Sequence, residues 1–241
     1  TVQGEVEKAL AQALRRETTL WGASRTDAGV NALGQRAHFY NYSSIPAEKF
    51  PFVLNTMLPP DIRVRAAREI PEGIHARFSC RGKIYTYRIW NDRHASAIRR
   101  HFTTHVLVPV DETKMAAAAR RLLGVHDFGA FQASGGTAKT TVRHIYSLDV
   151  TRSGHDVTLV VRGSAFLYNM VRIMAGTLIA IGQNRLSPDC IDEALATQNR
   201  LVLGVTAPPS GLELTPIFYE LPGDEPPEDM RSEPHILAED E

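Results

Sequence analysis

The chain has 241 residues, 43% hydrophobic and 22% charged, enough to bury the core of one large domain or two small ones. No apolar run reaches membrane-spanning length and no charged-then-apolar leader opens the chain, so neither a membrane span nor secretion is expected. The formal net charge of zero conceals a division: residues 221–241 hold eight acids and one base, leaving 26 bases against 19 acids in residues 1–220. That basic body points to an anionic partner, whereas the tail, proline-rich and poor in apolar residues, is expected to be disordered. Cys80 and Cys190 form no zinc or disulfide spacing, and a reducing, cytoplasmic setting is expected.

In chain order, residues 2–16 place Val2, Val6, Leu10, Ala13 and Leu14 on one helical face. A strand is expected over 18–23, then a turn, then a second strand over 35–42. Residues 46–58 read as a short helix weakened or kinked by Pro51. Alternation of Ile62, Val64 and Ala66 predicts a strand over 61–70. Beyond it, a strand over 83–90 precedes a helix that starts at Asp111 as N-cap and is closed by Gly124. Strands over 142–150 and 156–163 lead into an apolar helix over 166–182. A shorter helix opens at Ser187-Pro188, and a strand over 211–220 ends the fold. This order predicts an α+β protein of two split βαβ halves, residues 1–72 and 73–220, followed by the acidic tail 221–241. The first half lacks its opening strand, because its first helix begins at residue 1, and truncation of the chain is the expected reason.

Several apparent motifs carry no chemistry. The loop 134-SGGTAKTT-141 lacks the glycine spacing of a phosphate-binding P-loop, and His101 and His105 lack the context of a zinc site. More informative is 22-GASRTDAGVNALGQ-35, where Arg25 and Asp27 stand among small residues. The pair is either a solvated corner or a backbone that presents a carboxylate. In the apolar helix, Arg172 is the one charge; it either extends its guanidinium to solvent or meets an acid brought from elsewhere. Between Arg77 and Arg100 there are seven bases and one acid, Asp92, interleaved with Phe78, Tyr85, Tyr87 and Trp90. Cations neutralise phosphates and aromatic faces stack on unpaired bases, so the combination suits RNA.

Three of these stretches, SRTDAGVNALGQ (24–35), KIYTYRIW (83–90) and FLYNMVRIMAG (166–176), resemble in this order the signature segments of TruA-type tRNA pseudouridine synthases. Supporting stretches are 55-NTMLPPDIRV-64, 75-HARFSC-80, 125-VHDFGAF-131 and 207-APPSGLEL-214, so the resemblance covers nearly all of residues 1–220. It implies two ferredoxin-like halves joined through one large antiparallel sheet, a homodimer, and a cofactor-free isomerase with no metal. The implied reaction converts uridine to pseudouridine at positions 38 to 40 in the anticodon stem-loop of tRNA. The family aspartate falls on Asp27, the tyrosine on Tyr85 and the arginine on Arg172. Arg25 falls on a position linked to flipping the target base, and Arg25, Tyr85 and Leu212 are the implied substrate contacts. Arg25, His75, Arg77, Arg93 and Lys139, the last in the loop 135–139, fall on stretches that touch tRNA.

The chain departs from the family pattern at Ser24, usually glycine, and at Asn31, usually histidine. A positive φ at residue 24 would strain a serine. These departures, with the absent strand, motivate one alternative: a catalytically silent or truncated RNA-binding relative. Another is a nucleic-acid-binding α+β protein in which Asp27 and Arg172 form a purely structural ion pair.

Overall fold

A computed structural model describes residues 1–230 of the chain. In order, the elements begin with α1 (Val2–Leu14), β1 (Trp21–Gly22), β2 (Asn31–Ala32), β3 (Ala37–His38) and α2 (Phe50–Asn55). They continue with β4 (Gly82–Asn91), β5 (Thr104–Val106), α3 (Glu112–Ala119), β6 (Gly124–Asp127) and β7 (Val142–Ser153). Last come β8 (Asp156–Gly163), α4 (Met170–Gly182), α5 (Asp189–Thr197) and β9 (Leu212–Phe218). The architecture is α+β, with a large, mostly antiparallel sheet and five α-helices among the described residues. No helix among them is long and apolar enough to cross a membrane.

The chain divides into two compact units: residues 1–25 with 35–80, and residues 26–34 with the chain from 81 onward. This differs from the division expected at residue 72. The segment that carries Asp27 leaves the first unit because its backbone joins the second. Asn31 and Ala32 in β2 pair with Glu213 and Leu214 in β9, and the Leu33 N–H donates to Leu214 O at 2.9 Å.

In the first unit, Leu10 of α1 and Phe50 and Leu54 of α2 form a core with Leu20 and Leu58. The Thr1 hydroxyl caps α1 by accepting from Gly4 N, and Arg15 ends it in the left-handed region. Pro51 does not interrupt α2; it lies in the first turn, where its missing N–H costs no helical hydrogen bond. The strands expected over 18–23 and 35–42 shrink to the two-residue pair β1–β3. Residues 61–70 are not a regular strand at all. There the Val64 backbone is paired by a side chain: Val64 N donates to Asn55 Oδ1 and Asn55 Nδ2 to Val64 O, both at 2.8 Å. Alternating apolar residues still bury Ile62 and Val64 against the core, but a ladder requires a neighbouring strand.

The second unit follows the expected split βαβ pattern. The sheet runs β9-β4-β8-β7 in space, so the chain order β4-α3-β7-β8-α4-β9 interleaves its strands, and each neighbouring pair is antiparallel. Strand β4 is central, paired on both edges, and Ile84, Tyr85, Thr86, Tyr87 and Ile89 are all buried. The alternating tyrosines are therefore core residues rather than an open stacking surface. Helix α4 begins four residues later than the apolar run suggests, because Asn169 turns the chain at φ 61° immediately before it. Arg172 thus lies in the first turn of the helix rather than its middle. The described start of the expected tail is folded: Tyr219 N donates to Asp224 O at 2.8 Å, and Met230 is buried against Gly82. The disorder expected for residues 231–241 lies outside the described residues.

Helix α4 meets the chain at 204–205 backbone to backbone. A Cβ at Gly176 would overlap Val205 O, and one at Gly204 would stand 2.7 Å from Gly176 O. The Gly176→Ala variant should therefore lose about 1–3 kcal/mol of stability through overpacking, measured by urea unfolding. An unchanged midpoint would show that this approach is not a packing constraint.

Candidate active site

Residues 27–30 form a β-turn, with Val30 N donating to Asp27 O at 3.1 Å. Its third residue, Gly29, has φ +84°, the conformation that a type II turn demands and that glycine adopts without penalty. A Cβ there would lie 3.1 Å from Pro209 Cγ, so the turn is also seated closely on the 207–211 segment. Small residues around Asp27 are thus a requirement of backbone shape and close approach. Asn31 closes the loop from the other side: its Nδ2 donates to His101 O at 2.9 Å and to Ser210 O at 3.4 Å.

Arg172 meets Asp27, the pairing already named from the sequence, rather than solvent. Its Nη1 lies 2.8 Å from Asp27 Oδ2, and both side chains are largely buried, 15% and 25% exposed. The same nitrogen donates to Asn169 Oδ1 at 2.7 Å and Nε donates to Ala207 O at 2.8 Å. Asn169 therefore does two things, taking up the left-handed turn before α4 and accepting from the guanidinium. A carboxylate so held is aimed, with one oxygen on the guanidinium and the other unused by that contact.

Both halves of the pair lean on one strap, residues 207–211. Ala207 N donates to Arg172 O at 3.0 Å, while Pro209 supports Gly29 and Ser210 O receives Asn31. The strap is anchored in turn by Tyr87, whose hydroxyl donates to Pro208 O at 2.8 Å and lies 2.6 Å from Thr104 Oγ1. Burial pushes the Tyr87 phenol well above its usual pKa, so it stays protonated and keeps donating. Asn169 and the strap carbonyls went unmarked in the sequence, because Asn169 acts through the turn it occupies and a backbone acceptor has no signature in residue type.

Tyr85 is buried in β4, in register with Leu214 of β9 and Val161 of β8, and its ring meets Phe166 edge-on at 5.1 Å. Leu214 is also the partner of Ala32, so the strand after the Asp27 turn and the Tyr85 strand flank the same residue of β9. Leu212 is buried at the start of β9. Thus Asp27, Tyr85, Arg172 and Leu212 all belong to the second unit. Of the expected tRNA contacts, Arg93 and Lys139 are exposed on that unit, and Arg25 and Arg77 are exposed on the first. The basic run 77–100 is not uniformly available: Arg81 pairs with Glu220, Arg88 with Glu213 and Arg99 with Asp156.

The first unit holds His75 between rings, 4.6 Å from His38 and 4.4 Å from Phe78. Its Nδ1 accepts from Arg77 N at 3.1 Å, and His38 Nδ1 accepts from Ala76 N at 3.2 Å. The strain that a positive φ would place on Ser24 does not arise. Among the described residues the non-glycine positions with positive φ are Arg15, Asn169, Asn184 and Gln198, so Ser24 is unstrained, and Gln35 pairs its backbone through Nε2 to Ser24 O at 2.6 Å. Among the described residues no group of three or more His, Cys, Asp or Glu side chains could hold a metal ion.

A double-mutant cycle over Asp27→Asn and Arg172→Met should give a coupling energy of about 0.5–3 kcal/mol by urea unfolding; a value near zero would deny the ion pair. Burial lowers the pKa of His38 and of His75, helped by each ring's neighbour, His75 for His38 and Arg77 for His75. The unfolded chain then binds more protons than the folded one as pH drops below the ordinary histidine value of about 6.5, so stability falls on acidification. His38→Gln, which retains an acceptor, should flatten that slope when unfolding is followed by Trp21 emission in a Trp90→Phe chain.

A family model described as tRNA pseudouridine synthase matches residues 118–220. The chain is 45% identical over 220 residues to tRNA pseudouridine synthase A of Ruminiclostridium cellulolyticum, covering 91% of this chain and 90% of that protein. It is 45% identical over 219 residues to tRNA pseudouridine synthase A 2 of Clostridium tetani, covering 91% and 88%. With tRNA pseudouridine synthase A of Bacillus pumilus it shares 43% identity over 222 residues, covering 91% and 90%. Identity of this extent, spanning the Asp27 turn as well as the Arg172 helix, is that of a common fold and lineage: the chain belongs to the tRNA pseudouridine synthase A family.

Proposed function

We propose that this chain converts uridine to pseudouridine at positions 38 to 40 in the anticodon stem-loop of tRNA, with Asp27 as the nucleophile. The observation that carries the reading is the Asp27 carboxylate held 2.8 Å from the Arg172 guanidinium, in a turn fastened to the strand that also borders Tyr85. The isomerisation breaks the bond from uracil N1 to ribose C1′, turns the base, and joins C5 to C1′. The C5 hydrogen leaves as a proton, the freed N1 takes one up in exchange, and no electrons are gained or lost. A carboxylate nucleophile splits this into two steps by holding the detached partner covalently, whether on the sugar or on the base. Tyr85 packs against the base and abstracts or relays a proton from the ribose along a glycal-type route.

A base stacked in a helix is out of reach, so the target nucleotide must leave the stack while a side chain fills the gap. Arg25, exposed and two residues before Asp27, is suited to that wedge. Leu212 supplies apolar contact to the base, and His75, Arg77, Arg93 and Lys139 contact the tRNA. The unstrained Ser24 and the doubly bonded Asn31 favour a working loop over a silent one. A cytoplasmic homodimer that needs no cofactor completes the reading.

The test uses unmodified tRNA carrying tritium at C5 of uridine. Release of tritium to water is expected from the parent chain and should be abolished in Asp27→Asn, with tRNA binding retained. Binding by the parent without release would overturn the catalytic reading in favour of a silent RNA-binding relative.

A further inference from the structure

The first unit carries an array of rings that neither its core nor the Asp27–Arg172 pair uses. His38, Tyr40 and Tyr42 recur at every second residue and so leave the extended chain on one side. Phe39 points to the other, where it meets Phe50 edge-on at 5.0 Å. On the outer side Trp21 stacks on His38 at 5.0 Å with 16° between planes, and meets Tyr40 edge-on at 5.7 Å. Tyr40 lies 6.5 Å from Tyr42, and the Arg16 guanidinium sits 4.7 Å from the centre of the Tyr42 ring. In the other direction His38 meets His75, which meets Phe78, and the Arg77 guanidinium lies 5.7 Å from the centre of that last ring. The result is an unbroken row of six rings with a guanidinium at each end.

Core packing does not account for this row. Tyr40 is 59% exposed, Tyr42 72% and Phe78 47%. Exposed aromatics gathered in one row are characteristic of binding surfaces. The chemistry of the row favours one class of occupant. Ring faces stack on any nucleobase, and guanidinium groups stack and neutralise phosphate. The two imidazoles each use Nδ1 as an acceptor for a backbone N–H, which favours the flat, uncharged form.

We propose that this row is a stacking platform for unpaired nucleotides of the tRNA, with bases on Tyr40, Tyr42 and Phe78 and phosphates beside Arg16 and Arg77. The identity of the nucleic acid rests on the function proposed above; the platform itself rests on the rings. Family resemblance points only to the His75 and Arg77 stretch, and the row extends that contact to Trp21, Tyr40, Tyr42 and Arg16.

The experiment measures equilibrium binding of unmodified tRNA by the full chain. Tyr40→Ala combined with Tyr42→Ala should raise the Kd about tenfold or more, as loss of base stacking does. Tyr40→Phe with Tyr42→Phe keeps both rings and should stay within twofold of the parent. Both residues are exposed, so circular dichroism should show the fold unchanged. A double alanine variant that binds within twofold of the parent overturns the platform, even where the parent releases tritium and the catalytic reading stands. Ring-dependent binding without any tritium release removes the catalytic reading and leaves the platform standing. A parent that binds no tRNA removes both.

Discussion

The contact between Asp27 and Arg172 sets the terms for the rest of the second unit. Two charges withdrawn from water cost several kcal/mol each unless they meet at good geometry and their remaining donors are satisfied. The guanidinium meets that condition with three partners: the carboxylate, the Asn169 side chain and the Ala207 carbonyl. Each partner imposes its own requirement. Asn169 must hold a left-handed turn at the start of α4, Ala207 must lie alongside that helix, and Asp27 must arrive from a loop 145 positions away in the chain.

The 207–211 strap is where these requirements converge. Two prolines restrict its backbone, and Gly211 allows an approach of 2.7 Å between its Cβ direction and Arg88 O. Its carbonyls and ring faces then receive Arg172, Asn31, Gly29 and the Tyr87 hydroxyl. Tyr87 is the deepest of these supports, fully buried in the central strand. A reactive group mounted on a loop gains the precision of a strand when the loop is tied on both sides to rigid elements. The Asp27 loop shows that arrangement, with β9 on one side and the strap on the other.

The first unit solves a different problem. Its helices bury Leu10, Phe50 and Leu54, while the opposite side of the same chain segment turns rings outward. Alternation in an extended chain separates the two sets: Phe39 enters the core, and His38 and Tyr40 do not. The same alternation misleads at 61–70, where Ile62 and Val64 reach the core but the backbone finds an Asn55 side chain instead of a strand. Side-chain period reports which face is buried. It does not report whether a neighbouring strand is present to complete the ladder.

What the sequence determined by itself were properties written in local chemistry or in short motifs. Helix α1, the Asp111 cap of α3 and the long strands β4, β7 and β8 were legible, and Asp27, Tyr85 and Arg172 stood out as candidates. Caps, periods and signature residues involve neighbours within a few positions, so the order of letters is enough to show them. The tertiary structure alone decided the geometry with which Arg172 meets Asp27, that the Asp27 loop belongs to the second unit, and that backbone carbonyls of 207–211 hold both. Those contacts join residues 35 to 179 positions apart, some of them through backbone carbonyls that every residue shares, and only folding brings them within hydrogen-bond distance.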